Sequence, residues 1–286
     1  MRMSGSAKSS DLTVGVIGLG NMGMRMFHRI RRSGFDMNFV ARRTEVVTEA
    51  EAMGAIRASS PAVLAANSDV TVVAVFDDDQ LLDICMDDDG IMSGLRRGAT
   101  LVSHVTGSPR TISMLSDAAQ SRGGSVVDAA ISGTSDDIDA GQLTVLVGGD
   151  ERDIERIQPV LAAYAHPIVP VGGVGDGQRV KLLNNALFAA GVSLATEAER
   201  IADQLGLDPS AAFAAISACS GGSYAVQAVS RFGSAMSLRD GAGPYLRKDL
   251  SAIDRLAVEE DLSLGLLGEV ARRAVDPKSE ADNPKG

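Results

Sequence analysis

The sequence predicts a doubly wound α/β domain with a mostly parallel sheet, followed by an all-helical region reached through one long helix. Three observations carry this. Short β-branched apolar runs alternate with helical patterns through the first half. A G-x-G-x-x-G segment, Gly18 to Gly23, follows the first run and opens a helix. From Gln178 to about Val275 helical patterns follow one another with no convincing strand.

Leu12 to Ile17 is a short apolar run ending in glycines, the pattern of a buried parallel strand. Asn21 to Ser33 reads as a helix closed by Gly34, and Asn38 to Val40 as a second strand. Ser60-Pro61 has the form of an N-cap followed by proline at the first helical position. Val70 to Val75, Thr100 to Ser103 and Ser125 to Asp128 are the third, fourth and fifth strands. Thr144 to Val147 and Pro167 to Val171 are further candidates. Gly172, Gly173, Gly175 and Gly177 then suit a flexible joint. Gln178 to Leu205 reads as one helix about 40 Å long. Its apolar residues fall on more than one face, so it must be buried on most sides, which implies a homodimer or homotetramer. The expected organisation is a tail at 1–10, a sheet domain at 11–172, a helical domain at 173–276 and a tail at 277–286.

Composition narrows the classes. Of 286 residues, 45% are hydrophobic and 22% charged, enough to bury a core and unlike a disordered chain. No run of 18 apolar residues marks a membrane span, and the polar stretch Met1 to Ser10 lacks the apolar segment of a secretory signal. Two cysteines, Cys85 and Cys219, cannot build a disulfide framework, so a cytoplasmic, reducing setting is expected. A net charge of −10, no Trp and 3% aromatics argue against a nucleic-acid partner. The acidic triplets Asp77-Asp78-Asp79 and Asp87-Asp88-Asp89 lack a calcium-loop pattern. They read as solvated surface, with Asp79 able to cap the following helix.

The glycine segment carries chemistry. Gly18 would make the tight turn, Gly20 would let a pyrophosphate approach the backbone, and Gly23 would pack helix on strand. Leu19, Asn21 and Met22 complete this cofactor-binding turn of a Rossmann domain, with free N–H groups facing the phosphates. The second strand should end in an acid for a free ribose 2′-OH or in arginine for a 2′-phosphate. The chain has Arg42, Arg43 and Thr44 there, which predicts NADP over NAD unless both arginines are only solvated surface. The chain holds 22 Arg but five Lys, of which only Lys181 and Lys248 lie away from the tails. Lys, unlike Arg, can trade a proton near neutrality.

Four blocks resemble the β-hydroxyacid dehydrogenase family, which includes 3-hydroxyisobutyrate dehydrogenases and relatives of 6-phosphogluconate dehydrogenase. Gly18 to Gly23 is similar to its G-L-G-x-M-G, and Val127 to Thr134 to its D-A-P-V-S-G-G loop. Gly175 to Asn185 matches G-x-G-x-x-x-K-x-x-N-N, and Leu246 to Leu250 resembles the late K-D-L block. The resemblance implies hydride transfer between a nicotinamide and a small β-hydroxy acid, or the reverse reduction of a small semialdehyde. It makes Lys181 the catalytic proton shuttle, and Asn185, Ser132, Gly133 and Thr134 the substrate-binding residues. Ser132 to Thr134 would hold the substrate carboxylate. It sets Thr106 beside the nicotinamide, and Val75, Phe76 and Lys248 at the cofactor.

Residue chemistry fits that carry-over. Lys181 and Asn185 are four apart and share a helical face. The helix N-terminus and partial burial both disfavour the lysine charge. The sequence departs from the family at Ala130 and Thr134, and again where Ser103 and Val105 stand for Asp and Ser. His104 reads as a structural or rim histidine, Asp249 as a local cap or pair, and Tyr224 as either pocket lining or core. Two alternatives remain. One is an imine reductase on the same scaffold, although such enzymes typically carry Asp or Tyr in place of Lys181. The other is a non-catalytic cofactor-binding interaction module.

Overall fold

The computed structural model describes residues 12–275, so the expected tails lie outside the described residues. The strands are β1 (Thr13–Ile17), β2 (Asp36–Val40), β3 (Ile56–Arg57), β4 (Val70–Val73), β5 (Thr100–Ser103), β6 (Ser125–Ser132), β7 (Leu143–Gly148) and β8 (Ala165–Gly172). Between them run α1 (Asn21–Arg32), α2 (Thr44–Ala52), α3 (Pro61–Ala66), α4 (Asp78–Met86), α5 (Ile91–Gly94), α6 (Pro109–Gln120), α7 (Ser135–Ala140) and α8 (Glu151–Leu161). Then come α9 (Asp176–Gln204), α10 (Pro209–Ser217), α11 (Tyr224–Phe232), α12 (Ala235–Glu259) and α13 (Gly265–Arg273).

The sheet order is β3-β2-β1-β4-β5-β6-β7-β8, parallel except where β6 meets β7. Strand order reverses between β1 and β4, and α/β sheets bind ligands in the crevice beyond the carboxyl ends at such a point. The strands alternate between two apolar clusters. Val14, Val16, Val70 and Val72 belong to one, and Ile17, Val73, Leu101 and Val126 to the other. A sheet covered by helices on both faces needs apolar residues at successive positions, which explains its near-continuous runs.

The expected doubly wound fold is present, with five differences. β3 was not expected. It is two exposed residues long, too short for any pattern. The third strand stops at Val73, and β6 runs on to Ser132 because it pairs antiparallel with β7 as far as Thr144. Asp77, not Asp79, caps α4, accepting from the Gln80 N–H at 3.0 Å. The glycine segment is not a loose joint, because Gly173 and Gly175 donate their N–H groups to Asp176 and Asp128. Ser60 caps α3 ahead of Pro61, as expected.

The chain divides into two compact units after Lys181, inside α9 rather than at the glycines. The first turn of α9 belongs to the sheet unit because Asp128 and the β5–α6 loop hold it there. The second unit is all helical around its own core of Leu182, Phe213, Leu238, Leu246 and Ile253. Within it α9 has two characters. Ala186, Ala189 and Val192 are buried, while Leu187 (58%), Leu194 (62%) and Ile201 (47%) are exposed. No helix among the described residues is long and apolar enough to cross a membrane.

Candidate active site

Gly18 ends β1 with φ +93, a left-handed conformation that favours glycine, and a Cβ there would strike the Ala74 carbonyl beyond β4. Its carbonyl accepts from Gly20 N at 2.8 Å. Gly23 sits where a Cβ would collide with the Gly18 carbonyl, so α1 packs directly on the turn. Gly20 is the N-cap of α1 with no side-chain cap, and its missing Cβ would meet nothing within 4 Å. An uncapped helix start facing open space fits a pyrophosphate. Leu19 sends its side chain into the core, so its backbone faces the turn. Asn21 accepts from Arg25 at 3.5 Å, and Met22 is half-buried against the core.

The arginines follow the carboxyl end of β2. Arg43, N-cap of α2, donates to the Leu19 carbonyl at 3.0 Å, tying the end of β2 to the glycine turn. Arg42 and Thr44 are exposed beside it. Arg57 of β3 donates to the Ala41 carbonyl at 3.2 Å. Arg57 was missed because its strand has no periodicity, though its register opposite Phe39 brings it there. Val75 is partly buried against the core, and Phe76 is 50% exposed beyond β4.

The loop after β5 is held from both sides. His104 is fully inside, with Nδ1 at 2.5 Å from the Ala129 carbonyl and Nε2 at 2.7 Å from the Tyr164 hydroxyl. A carbonyl only accepts, so Nδ1 carries the proton and Nε2 accepts from Tyr164. Burial pushes the imidazole down to about 4. His104 is therefore a neutral core histidine. Thr106 is half-buried, and Gly107 has no room for a Cβ because Asp78 lies against it. Asp78 also accepts from Ser108 N at 2.7 Å. From the other side Gln178, fully buried, donates Nε2 to the Val105 carbonyl at 2.8 Å and accepts from Gly107 N at 3.0 Å.

Asp128 of β6 completes this arrangement. It accepts from Gly175 N at 2.8 Å and Gln178 N at 2.9 Å, capping the start of α9 from the middle of the sheet. Burial raises its carboxyl to about 6, against the pull of those N–H donors. Both Gly148 and Gly177 would drive a Cβ into its oxygens. Lys181, half-buried, follows Gln178 by three positions on α9.

Ser132 ends β6, paired with Thr144, and Gly133 follows with φ +140. Thr134 caps α7. Its N–H and hydroxyl both donate to Asp137, at 2.6 and 2.8 Å. In the helical unit Asn185 donates to Asp249 at 2.7 Å, a partner 64 residues away rather than a local one. Lys248 lies on α12 beside it. Tyr224 is 57% exposed, stacked near Phe188 at 5.7 Å and beneath Arg231 at 5.1 Å, so it is not a core residue.

The fold and its glycine turn at the switch point define a nicotinamide-dependent oxidoreductase. Residues 13–173 match the NAD-binding domain of 6-phosphogluconate dehydrogenase, and residues 175–281 match the NAD-binding domain of NADP-dependent 3-hydroxyisobutyrate dehydrogenase. The chain belongs to the β-hydroxyacid dehydrogenase family. It is 30% identical over 198 residues to the 2-hydroxy-3-oxopropionate reductase of Escherichia coli, covering 69% of this chain and 68% of that protein. It is 30% identical over 218 residues to the 2-(hydroxymethyl)glutarate dehydrogenase of Eubacterium barkeri, covering 76% and 72%. Among solved structures, a Mycobacterium tuberculosis 3-hydroxyisobutyrate dehydrogenase with L-serine superposes with a TM-score of 0.81 at 24% identity, covering 95% and 94%. A Pseudomonas imine reductase shares the fold more distantly, with a TM-score of 0.61 at 20% identity, covering 95% and 90%.

Proposed function

We propose that the protein is an NADP-dependent reductase of small aldehydes, or dehydrogenase of the matching β-hydroxy acids, with Lys181 as its proton shuttle. The observation that supports this best is the placement of Lys181. It stands just past the turn of α9 that Asp128 and Gln178 bind to the sheet, so one rigid unit carries the glycine turn, the Thr106 loop and the lysine.

The cofactor, when bound, supplies a hydride to a carbonyl or accepts one from a carbinol carbon. Backbone N–H groups of Gly20 to Gly23 hold its pyrophosphate, and Arg42 and Arg43 hold the 2′-phosphate. Val75, Phe76 and Thr106 line its remaining length. The Lys181 ammonium donates to the substrate oxygen on reduction and takes that proton back on oxidation. Ser132 and Gly133 orient the substrate, with Thr134 at the edge of that loop.

We infer further that the exposed leucines of α9 meet a second copy, giving a homodimer or a tetramer built from it. We place the protein in the cytoplasm, in keeping with free thiols at Cys85 and Cys219.

A panel of small β-hydroxy acids and aldehydes with NADP(H) tests the reading. Lys181→Met should keep NADPH affinity within about twofold and lose at least about 100-fold in turnover. Full turnover in Lys181→Met overturns the shuttle. Nicotinamide oxidation with cyclic imines alone selects the imine reductase, and none with any substrate selects the binding module.

A further inference from the structure

We propose that Gln178 is a positioning residue for the reaction, a buried strap that fixes the Thr106 loop against the helix carrying Lys181. The proposal rests on the function proposed above, because it takes Thr106 to lie at the nicotinamide and Lys181 to move the proton.

The geometry is specific. A primary amide offers one acceptor and a pair of donors in one plane. Gln178 turns that plane onto the loop so that Oε1 takes the Gly107 N–H while Nε2 gives to the Val105 carbonyl. These groups flank Thr106 on either side, so the amide grips the loop at both shoulders of that residue. The Gln178 backbone N–H is in turn held by Asp128, and Asp128 also holds Gly175. The side chain is entirely excluded from water. Each of its polar groups would be left unsatisfied if the loop moved, and a buried donor or acceptor left unpaired is destabilising. The loop therefore has one favourable position relative to α9, and Lys181 is one helical turn further along.

This ties a distance to an amide. Hydride and proton transfer both require their reacting atoms about 3–3.5 Å apart and aligned, and a misplacement of about 1 Å caused by a change far from the chemistry can lower rates about 100-fold. Glycine turn, pyrophosphate and ribose sit at the opposite end of the cofactor from this strap. Its loss should therefore lower turnover while sparing cofactor affinity.

Two variants test it. Gln178→Leu keeps the bulk and removes both bonds. Gln178→Glu restores both only when its carboxyl is protonated, because a neutral acid donates through O–H and accepts through C=O as the amide does. Asp78, His104, Asp128, Asp176 and Lys181 are the titrating groups around the same loop and helix start, and they are common to native and variant. The ratio of variant to native kcat removes what they contribute equally to both, leaving the protonation of the introduced carboxyl and its coupling to Asp128.

In Gln178→Leu we expect faster hydrogen exchange at the Gly107 amide without cofactor, NADPH affinity within about twofold, and kcat lower by about 10- to 100-fold. In Gln178→Glu the kcat ratio should climb as pH falls. Native-like kcat in Gln178→Leu alongside faster Gly107 exchange overturns the proposal, as does a pH-independent ratio in Gln178→Glu. If Gln178→Leu does not fold, the Gln178→Glu ratio decides. Failure of the parent reading shows differently. Native protein with no nicotinamide-dependent turnover would overturn both, whereas native turnover that ignores Gln178 would overturn this one alone.

Discussion

Asp128 on β6 and His104, just past the end of neighbouring β5, are moved by burial in opposite directions. Asp128 pairs with Ser103 across β6 and β5, and His104 is the next residue along, bonded to the carbonyl of Ala129. The carboxyl is pushed up to about 6 and the imidazole down to about 4.

Their effects on stability therefore oppose each other. A carboxyl raised in the fold stabilises it below about pH 4, and that contribution is lost as pH rises to about 6. An imidazole lowered in the fold stabilises it above about pH 6.5, and that contribution is lost as pH falls to about 4. Each is on the order of 3 kcal/mol across nearly the same window. His104→Gln should expose the Asp128 slope, with stability falling between about pH 4 and 6. Asp128→Asn should expose the reverse. Urea unfolding at three pH values in this range measures both, and an unchanged slope in His104→Gln would count against the buried neutral histidine.

The arginines should set cofactor choice. Arg42→Asp with Arg43→Ser removes charge-assisted bonds worth about 1.5–3 kcal/mol each, so NADPH affinity should drop at least about 10-fold with NADH affinity little changed. Arg57→Ser should weaken NADPH in the same direction by a smaller factor. Fluorescence titration with both nucleotides reads this. Equal native affinity for the two nucleotides would sink it.

Asp137 should limit carboxylate substrates. Its side chain already occupies the Thr134 N–H and hydroxyl, which the family resemblance assigns to a substrate carboxylate. Asp137→Ala should lower KM for succinic semialdehyde or glyoxylate several-fold and leave KM for an uncharged aldehyde unchanged. It should also cost about 1 kcal/mol of stability through the lost cap. Equal KM changes for both substrate types would show that the loop does not sense charge.

The exposed α9 stripe should hold two copies together. Leu187→Glu with Leu194→Glu places two charges on it and should convert the native assembly to a monomer by light scattering. A native protein that is already monomeric at micromolar concentration removes the reading.

Elements with strong periodicity were legible without coordinates. β1, the glycine turn, α1 and α9 each combine a clear pattern with a start or stop signal. Ile56–Arg57 has neither, and it hid Arg57. β6 was read short because Ala129 and Ala130 are weak strand formers, and its antiparallel partner supplies what propensity does not. Gln178 passed as filler in a glycine-and-lysine motif. Its sign was a neutral polar residue at the start of an apolar helix. Asp128 had a plainer one: a charge inside the run Ser125 to Ser132 must find partners if that strand is central.

The tight wrapping of Gly148 and Gly177 around Asp128 links three positions far apart in the chain. An alanine at Gly148 would also strike the Gly173 carbonyl and one at Gly177 the Leu146 carbonyl, so exchanging the acid for something smaller admits neither. Both glycines should therefore resist substitution whatever stands at position 128, and a library that randomises the three sites jointly will recover almost nothing there that single-site libraries do not.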